Sequence, residues 1–204
     1  MRNRVRDLRR SMPTINMPVL LRVIGLLLII EGVFLLVPFV TCLIYHEADW
    51  LDFLFTAGFT IAVGSGLSFI RPSTSSMGKR EGFLLTAMVW IVFSLFGMIP
   101  FMLMDREPLS VSDAFFEAMS GFTTTGATIM VSVDHLSHGA MLWRSLMQWI
   151  GGMGIILFTL AVVPMLNSSG GMQMFNAEVT GITHDKLRPR ISQTAKSLWL
   201  IYTV

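Results

Sequence analysis

Hydrophobic positions form four long segments along this chain, separated by shorter polar ones. The apolar segments cover residues 19–45, 51–70, 83–104 and 142–166. Each reaches the length of about 20 residues that a helix needs to cross the hydrocarbon core of a bilayer. A further apolar segment starts at residue 197 and is followed to residue 204. The pattern predicts an all-α integral membrane protein with four transmembrane helices and the start of another.

A small, uncharged and hydroxyl-rich stretch interrupts this pattern between the third and the fourth apolar segment. It reads Ser-Gly-Phe-Thr-Thr-Thr-Gly-Ala-Thr over residues 120–128 and follows a short helix-like sequence. Residues 113–128 are too few to cross a bilayer and return, so a re-entrant segment is expected. Backbone that is not helical at membrane depth has to be buried in protein or line water. A Thr/Gly loop at such a place can direct carbonyl groups at a passing cation, which indicates a cation pathway.

The residues around this stretch predict a short helix that leads into it. The side chains of Ser110, Ser112 and Asp113 can cap a helix that starts at Asp113, and Gly121 is a natural stop. The C-terminal end of such a helix carries a partial negative charge and favours a cation beyond it. Gly126 can adopt a positive φ, which allows neighbouring carbonyl groups to face one axis. The spacing alone leaves open a buried hairpin whose threonines bond to neighbouring helices.

Composition and charge agree with a membrane protein and orient it. Of the 204 residues, 53% are hydrophobic and only 14% are charged, whereas about 25% are charged in soluble domains. Basic residues cluster at the N-terminus, after the second apolar segment and after the fourth. All three clusters fall on one side of a four-helix zigzag, so the positive-inside rule predicts a cytoplasmic N-terminus and a Thr/Gly loop entered from outside.

The acidic residues concentrate on the predicted outer side, where eight of the thirteen carboxylates lie. A negative mouth would raise the local cation concentration. The same charge balance is explained equally well by topology alone, because the positive-inside rule leaves outer loops with few basic residues. The eight are Glu47, Asp49, Asp52, Asp105, Glu107, Asp113, Glu117 and Asp134.

Several single residues allow both a structural and a functional interpretation. Arg22 lies close enough to the cytoplasmic end of the first segment to extend to the interface, whereas deeper Glu31 is expected to pack against another helix or take a proton. Trp143 and Arg144, at the start of the fourth segment, are interpreted as interfacial residues. The single Cys42 excludes an intrachain disulfide. The histidines lack the arrangement of a metal site or a catalytic base, so no enzyme is predicted.

Four stretches of the sequence resemble one family. Residues 113–128, Asp-Ala-Phe-Phe-Glu-Ala-Met-Ser-Gly-Phe-Thr-Thr-Thr-Gly-Ala-Thr, are similar to the first pore loop of bacterial TrkH/TrkG-type potassium uptake proteins of the Trk/Ktr/HKT superfamily. Residues 143–154, Trp-Arg-Ser-Leu-Met-Gln-Trp-Ile-Gly-Gly-Met-Gly, resemble the start of the helix that follows. Residues 171–178 and 189–199 resemble the next cytoplasmic linker.

This resemblance implies four helix–pore–helix repeats in one chain around a central pore, after an N-terminal helical hairpin. Only the hairpin, one repeat and the start of a second are present in this sequence. The expected parts are a cytoplasmic basic N-terminus at 1–17, a two-helix hairpin at 18–70, the first repeat at 83–166 with a re-entrant pore loop at about 113–128, a cytoplasmic linker at 167–196 and the truncated start of the next helix at 197–204.

The resemblance also implies which residues line the ion pathway. The filter segment is expected to consist of Thr123, Thr124, Thr125, Gly126 and Ala127, with Gly126 as its central glycine. The backbone carbonyls of Thr124, Thr125 and Gly126 would then bind K⁺. Asp113 and Glu117 would lie on the pore helix.

The implied function is potassium uptake across the bacterial inner membrane, with this chain contributing one of four filter segments of a Trk-type pore-forming subunit. Expected partners are the lipid bilayer, a cytosolic TrkA-type regulator that binds NAD(H) or ATP, and a second full-length chain in a homodimer. No covalently bound cofactor and no nucleic acid are expected. A non-conducting truncated or accessory subunit is the alternative, because a filter ring needs four loops, and a homotetramer is a third route to four. The sequence does not decide whether transport is channel-like or that of a symporter, nor whether the pathway selects K⁺ or Na⁺.

Overall fold

The computed structural model describes residues 15–72, 79–104, 108–167, 197–198 and 200–203, and these ranges contain helices and no strands. The predicted all-α fold is therefore confirmed. The expected cytoplasmic N-terminus, apart from its last residues, and almost the whole linker at 167–196 lie outside the described residues. The helices are α1 (Met17–Ile44), α2 (Trp50–Ser68), α3 (Lys79–Gly97), α4 (Ile99–Leu103), α5 (Val111–Phe122) and α6 (His138–Asn167).

Three helical stretches in the described ranges are long and apolar enough to cross a membrane. They are Met17–Ile44, Trp50–Ser68 and Glu81–Leu103, with mean hydropathy values of 2.7, 1.4 and 2.2. These stretches coincide with the first three apolar segments of the sequence, and the 30-residue helix α6 covers the fourth. The membrane location expected from the apolar pattern follows from these lengths and hydropathies.

Helices α1 and α2 form an antiparallel hairpin whose backbones approach closely. A Cβ atom placed on Gly25 would lie 2.6 Å from the carbonyl oxygen of Gly64, and one on Gly64 would lie 2.7 Å from that of Gly25. Small residues at facing positions permit such contact, which stabilises helix pairs in membranes by van der Waals packing. The buried hydroxyl of Thr60 donates to the carbonyl of Thr56 within the helix at 2.7 Å, so it needs no partner across the interface.

The turn between α1 and α2 is bound to the start of α6. The Glu47 carboxylate accepts a hydrogen bond from the backbone N–H of His138 at 2.7 Å and one from that of Gly139 at 3.2 Å. It also contacts Nδ1 of His138 at 2.7 Å, and the ring of Tyr45 stacks on that imidazole with centroids 3.9 Å apart. The first N–H groups of a helix have no partner within the helix, so a carboxylate at this place satisfies them.

These contacts make the stability of the chain dependent on pH, with a loss of stability in acid. Burial raises the pKa of Glu47, but the hydrogen bonds from the backbone and ring of His138 and from the backbone of Gly139 outweigh it and hold that pKa below the ordinary value of 4.5. A lowered folded-state pKa means that the contribution to stability is complete above pH 4.5 and is lost as the pH falls through the folded-state value.

We therefore expect the wild-type chain to lose more stability on acidification than the Glu47→Gln variant. The difference should be on the order of 1 kcal/mol, as for a hydrogen-bonded carboxylate. Thermal unfolding of both proteins in lipid nanodiscs, from neutral pH to below the ordinary carboxyl pKa, measures it. Glu81→Gln, a change in the first turn of α3, provides the control. Equal loss of stability in wild type and Glu47→Gln would contradict the role of these contacts.

Candidate functional site

Helix α5 begins at a well-defined cap. The hydroxyl oxygen of Ser110 accepts a hydrogen bond from the backbone N–H of Asp113 at 3.3 Å and donates to its carboxylate at 2.8 Å. The helix therefore begins at Val111, two residues before the predicted start at Asp113, because Ser110 rather than Ser112 is the cap. It ends at Phe122, one residue after the predicted stop at Gly121. The short helix is as expected, and its predicted start is wrong by two residues.

Helix α5 reaches into the bundle without crossing it. Its 12 residues span about 18 Å. At its end, the carbonyl oxygen of Phe122 lies directly against Gly151 of α6. Gly151 is about 20 Å along α6 from His138, whereas the hydrocarbon core of a bilayer is about 30 Å thick. After Phe122 the chain returns to the level of His138, so α5 and the loop enter and leave at the same end of the bundle.

The return path starts with residues 123–128, the Thr/Gly loop, which is fastened along α5. The backbone N–H of Thr125 donates to the carbonyl of Ser120 at 3.0 Å. The Ser120 hydroxyl in turn donates to the carbonyl of Ala127 at 2.6 Å. The Thr123 hydroxyl donates to the carbonyl of Met119 at 2.7 Å and lies 2.9 Å from the hydroxyl of Thr125. One side of the loop is therefore fixed against α5.

The backbone of the Thr/Gly loop is left-handed at two alternate positions. Thr124 has a φ of 57° and Gly126 a φ of 72°, whereas Thr125 between them does not have a positive φ. A β-branched residue such as threonine rarely adopts positive φ, and the conformation costs about 1–2 kcal/mol. In a β-strand, successive peptide groups point to opposite sides. Where left-handed residues alternate with others, successive peptide groups point to the same side.

The other side of the Thr/Gly loop is open. Residues 124–128 are exposed, in contrast to the buried end of α5. No group in the described ranges donates a hydrogen bond to the carbonyl oxygens of Thr124, Thr125 or Gly126, whereas that of Ala127 is bound by Ser120. These three consecutive carbonyl groups are the ones that the sequence analysis expected to bind K⁺, and a row of free carbonyl oxygens can replace part of the hydration shell of a cation.

A buried ion pair supports the loop from behind. Glu117 is 3% exposed. One of its carboxylate oxygens accepts from the backbone N–H of Ile129 at 2.7 Å and from the hydroxyl of Thr128. The other lies 3.1 Å from Nη2 of Arg144 on α6. The carboxylate thus connects the pore-helix candidate α5, the outgoing end of the loop and α6.

This support was not predicted from the sequence. Arg144 was interpreted as an interfacial residue, but its guanidinium is committed to Glu117. Trp143 is also not interfacial, since it is fully buried and donates from Nε1 to the carbonyl of Gly97 at 2.9 Å. The ring of Phe122 packs edge-on against Trp143, with centroids 6.2 Å apart. The one available signal was an acidic residue on α5 and a basic residue at the start of the next apolar segment. Asp113 stays at the start of α5 with its cap.

Comparison with known proteins gives a consistent result. A family model described as "TrkH: Cation transport protein" matches residues 52–204. The chain is 42% identical over 185 residues to the Trk system potassium uptake protein TrkH of Escherichia coli K12, and 33% identical over 195 residues to TrkG of the same strain. It also matches the crystal structure of the potassium transporter TrkH from Vibrio parahaemolyticus with a TM-score of 0.75 and 35% identity.

These matches cover nearly the whole chain but less than half of each relative. The alignments include 90% of the chain with E. coli TrkH, 95% with TrkG and 92% with the crystal structure. They include 38%, 40% and 37% of those three proteins, respectively. The similarity in fold and sequence is therefore to one portion of each relative.

Proposed function

Because the chain belongs to the TrkH family of cation transport proteins, we propose that it takes part in potassium uptake across a membrane. The observation that carries this proposal is the row of three free carbonyl groups in the Thr/Gly loop, at Thr124, Thr125 and Gly126. Family membership also confirms the expectation that the chain is not an enzyme.

We propose that the Thr/Gly loop forms one wall of a potassium filter, made of residues 123–127 with Gly126 at its centre. Potassium would be bound by backbone carbonyl oxygens, which need no charged side chain. The C-terminal end of α5 precedes the loop directly, and the partial negative charge of this helix end favours a cation nearby. Asp113 and Glu117 act on this wall through the position of α5 rather than by binding the ion.

A single loop provides one wall, so the other walls have to come from further segments. We propose that they come from three further helix–pore–helix repeats, which add to the first repeat at 83–166. Two findings support this arrangement. The open side of the Thr/Gly loop has no cover within the described ranges, and the chain spans about two fifths of the length of its relatives.

The expected membrane and partners remain part of the same proposal. The clusters of basic residues favour a cytoplasmic N-terminus in a bacterial inner membrane. A cytosolic TrkA-type regulator that binds NAD(H) or ATP, and a homodimer of full-length chains, would complete the system. The regulator would be supported as a partner if it co-purifies with the chain and if this co-purification requires residues 186–190.

Substitution of Gly126 tests the proposed filter. A valine at a φ of 72° is strained by about 1–3 kcal/mol, and nothing lies within 4 Å of the added Cβ that would clash. The loss therefore comes from backbone conformation and not from overlap. We expect Gly126→Val to lower potassium uptake roughly tenfold or more. Gly126→Asn should retain more uptake, because asparagine tolerates the left-handed region.

The measurement is potassium-limited growth and rubidium uptake in cells that lack their own potassium uptake systems and express the gene in its natural reading frame. Gly66→Ala is the matched control, since an added Cβ there also meets nothing within 4 Å and the φ is not left-handed. Unchanged uptake by Gly126→Val at equal membrane abundance would refute the filter assignment, whereas a wild type without uptake above the empty-vector level would favour a non-conducting accessory role.

A further inference from the structure

A carboxyl group without a partner lies inside the bundle behind the Thr/Gly loop. Glu31, in the middle of α1, is 0% exposed. Neither of its carboxylate oxygens has a hydrogen-bond partner among the described residues. An isolated carboxylate in such surroundings is costly, and a buried group of this kind neutralises instead of remaining charged. We propose that Glu31 is a proton-binding site whose resting form is the neutral acid.

The position of this carboxyl group follows from the space at Gly97, the last residue of α3. A Cβ atom on Gly97 would lie 3.3 Å from Oε1 of Glu31 and 2.7 Å from Cε2 of Phe122. The carboxyl group and the Phe122 ring are therefore neighbours across Gly97. Because Phe122 is the last residue of α5, the proton site lies next to the point where the Thr/Gly loop begins. The nearby indole N–H of Trp143 already donates to the carbonyl of Gly97.

No charged side chain in the described ranges reaches Glu31 to stabilise its ionised form. On its own helix, Arg22 is nine residues earlier, which is about 14 Å along the axis and on the opposite face. Among the residues whose side chains the structure describes, the ionisable ones on the surrounding helices either lie near helix ends or are paired with other groups, as Glu117 is with Arg144. These side chains are Asp52, Glu81, Asp113, Glu117, His138 and Arg144.

The chemistry of the site is a simple proton transfer. A hydrated proton from the aqueous phase forms an O–H bond with one carboxylate oxygen and leaves its water, and the site loses one negative charge. In the reverse step the buried negative charge appears beside Phe122 and changes the potential at the end of α5. Proton binding at Glu31 does not require that the chain carries potassium, and its test is independent of uptake.

Infrared difference spectroscopy on the chain in lipid nanodiscs detects the proposed state. At neutral pH the wild type should show the C=O stretching band of a protonated carboxylic acid, shifted on exchange into D₂O. We expect this band to be absent from Glu31→Gln and unchanged in Glu81→Gln, a control in the first turn of α3. If Glu31→Gln and wild type have the same spectrum in this region, Glu31 is ionised at neutral pH and the proposal is overturned.

A stability measurement keeps the test decisive if one variant folds poorly. The folded chain holds Glu31 as the neutral acid, whereas the same carboxyl group can ionise in water once the chain unfolds, so the unfolding midpoint of the wild type should fall as the pH rises above the ordinary carboxyl range. Glu31→Gln and Glu31→Leu cannot ionise and should both keep their midpoints over the same range. The expected result is a wild-type decrease of several degrees relative to both variants, consistent with the loss of about 1 kcal/mol or more in a chain of this size. Parallel pH profiles for all three proteins would overturn the proposal.

Discussion

Replacement of Arg144 by alanine is expected to destabilise the chain by about 3 kcal/mol and to release the Thr/Gly loop. The substitution leaves the carboxylate of Glu117, which is 3% exposed, without its cation at 3.1 Å. Loss of one member of a buried ion pair costs about 3–5 kcal/mol, because the other charge stays buried and uncompensated. The lower end of this range applies here, since the Arg144 side chain retains 21% exposure.

A double-mutant cycle separates the ion pair from other effects of the substitution. Arg144→Met combined with Glu117→Gln removes both charges and should be more stable than Arg144→Met alone. Arg71→Ala, in the exposed turn after α2, is the control for loss of a positive charge. Thermal unfolding in nanodiscs gives the stabilities, and proteolysis within residues 123–130 reports the release of the loop. If Arg144→Ala and Arg71→Ala have equal stability, the pair does not support the loop.

Addition of a single methyl group at Gly151 is expected to have an effect of similar size. A Cβ at this position would overlap the carbonyl oxygen of Phe122, and it would lie 2.7 Å from the carbonyl carbon. Both atoms belong to the backbone at the end of α5, so no side-chain rotation relieves the overlap. We expect Gly151→Ala to cost about 3 kcal/mol, despite the gain of up to about 1 kcal/mol from the better helix propensity of alanine.

The adjacent glycine provides a matched control for this prediction. A Cβ on Gly152 would meet the hydroxyl group of Tyr202, which is the end of a flexible side chain. Gly152→Ala has the same propensity gain and should cost much less, because the tyrosine can move. The difference between the two unfolding free energies therefore measures the contact between α5 and α6. Equal effects at the two positions would show that Phe122 is not held against α6 as tightly as the geometry indicates.

Part of this structure is predictable because it depends on local sequence alone. The apolar runs that become α1, α2 and α3 satisfy a length and hydropathy requirement that any spanning helix has to meet. The short helix α5 follows from a cap and a stop, and the return of the chain to the end of the bundle where α5 starts follows from too few residues to cross. Even here the choice between Ser110 and Ser112 as the cap needed the actual turn geometry.

The ion pair that supports the loop could not be predicted, because it depends on how the helices pack and not on local sequence. The pairing of Glu117 with Arg144 depends on which faces of α5 and α6 meet, and many packings satisfy the same apolar pattern. Trp143 was assigned to the interface by its place at the start of an apolar segment, but it is fully buried and contacts the end of α3 and Phe122. The isolation of Glu31 is likewise a property of four helices together and is invisible in any one of them.

The open side of the Thr/Gly loop has a consequence for biogenesis. The three carbonyl groups that have no donor in the described ranges cannot be left in contact with lipid tails, where each unsatisfied polar group costs several kcal/mol. During membrane insertion this face therefore has to stay in contact with water or with the translocation machinery until other polypeptide covers it. If the loop lies at membrane depth as proposed, a copy that never acquires that cover would expose these polar groups to lipid.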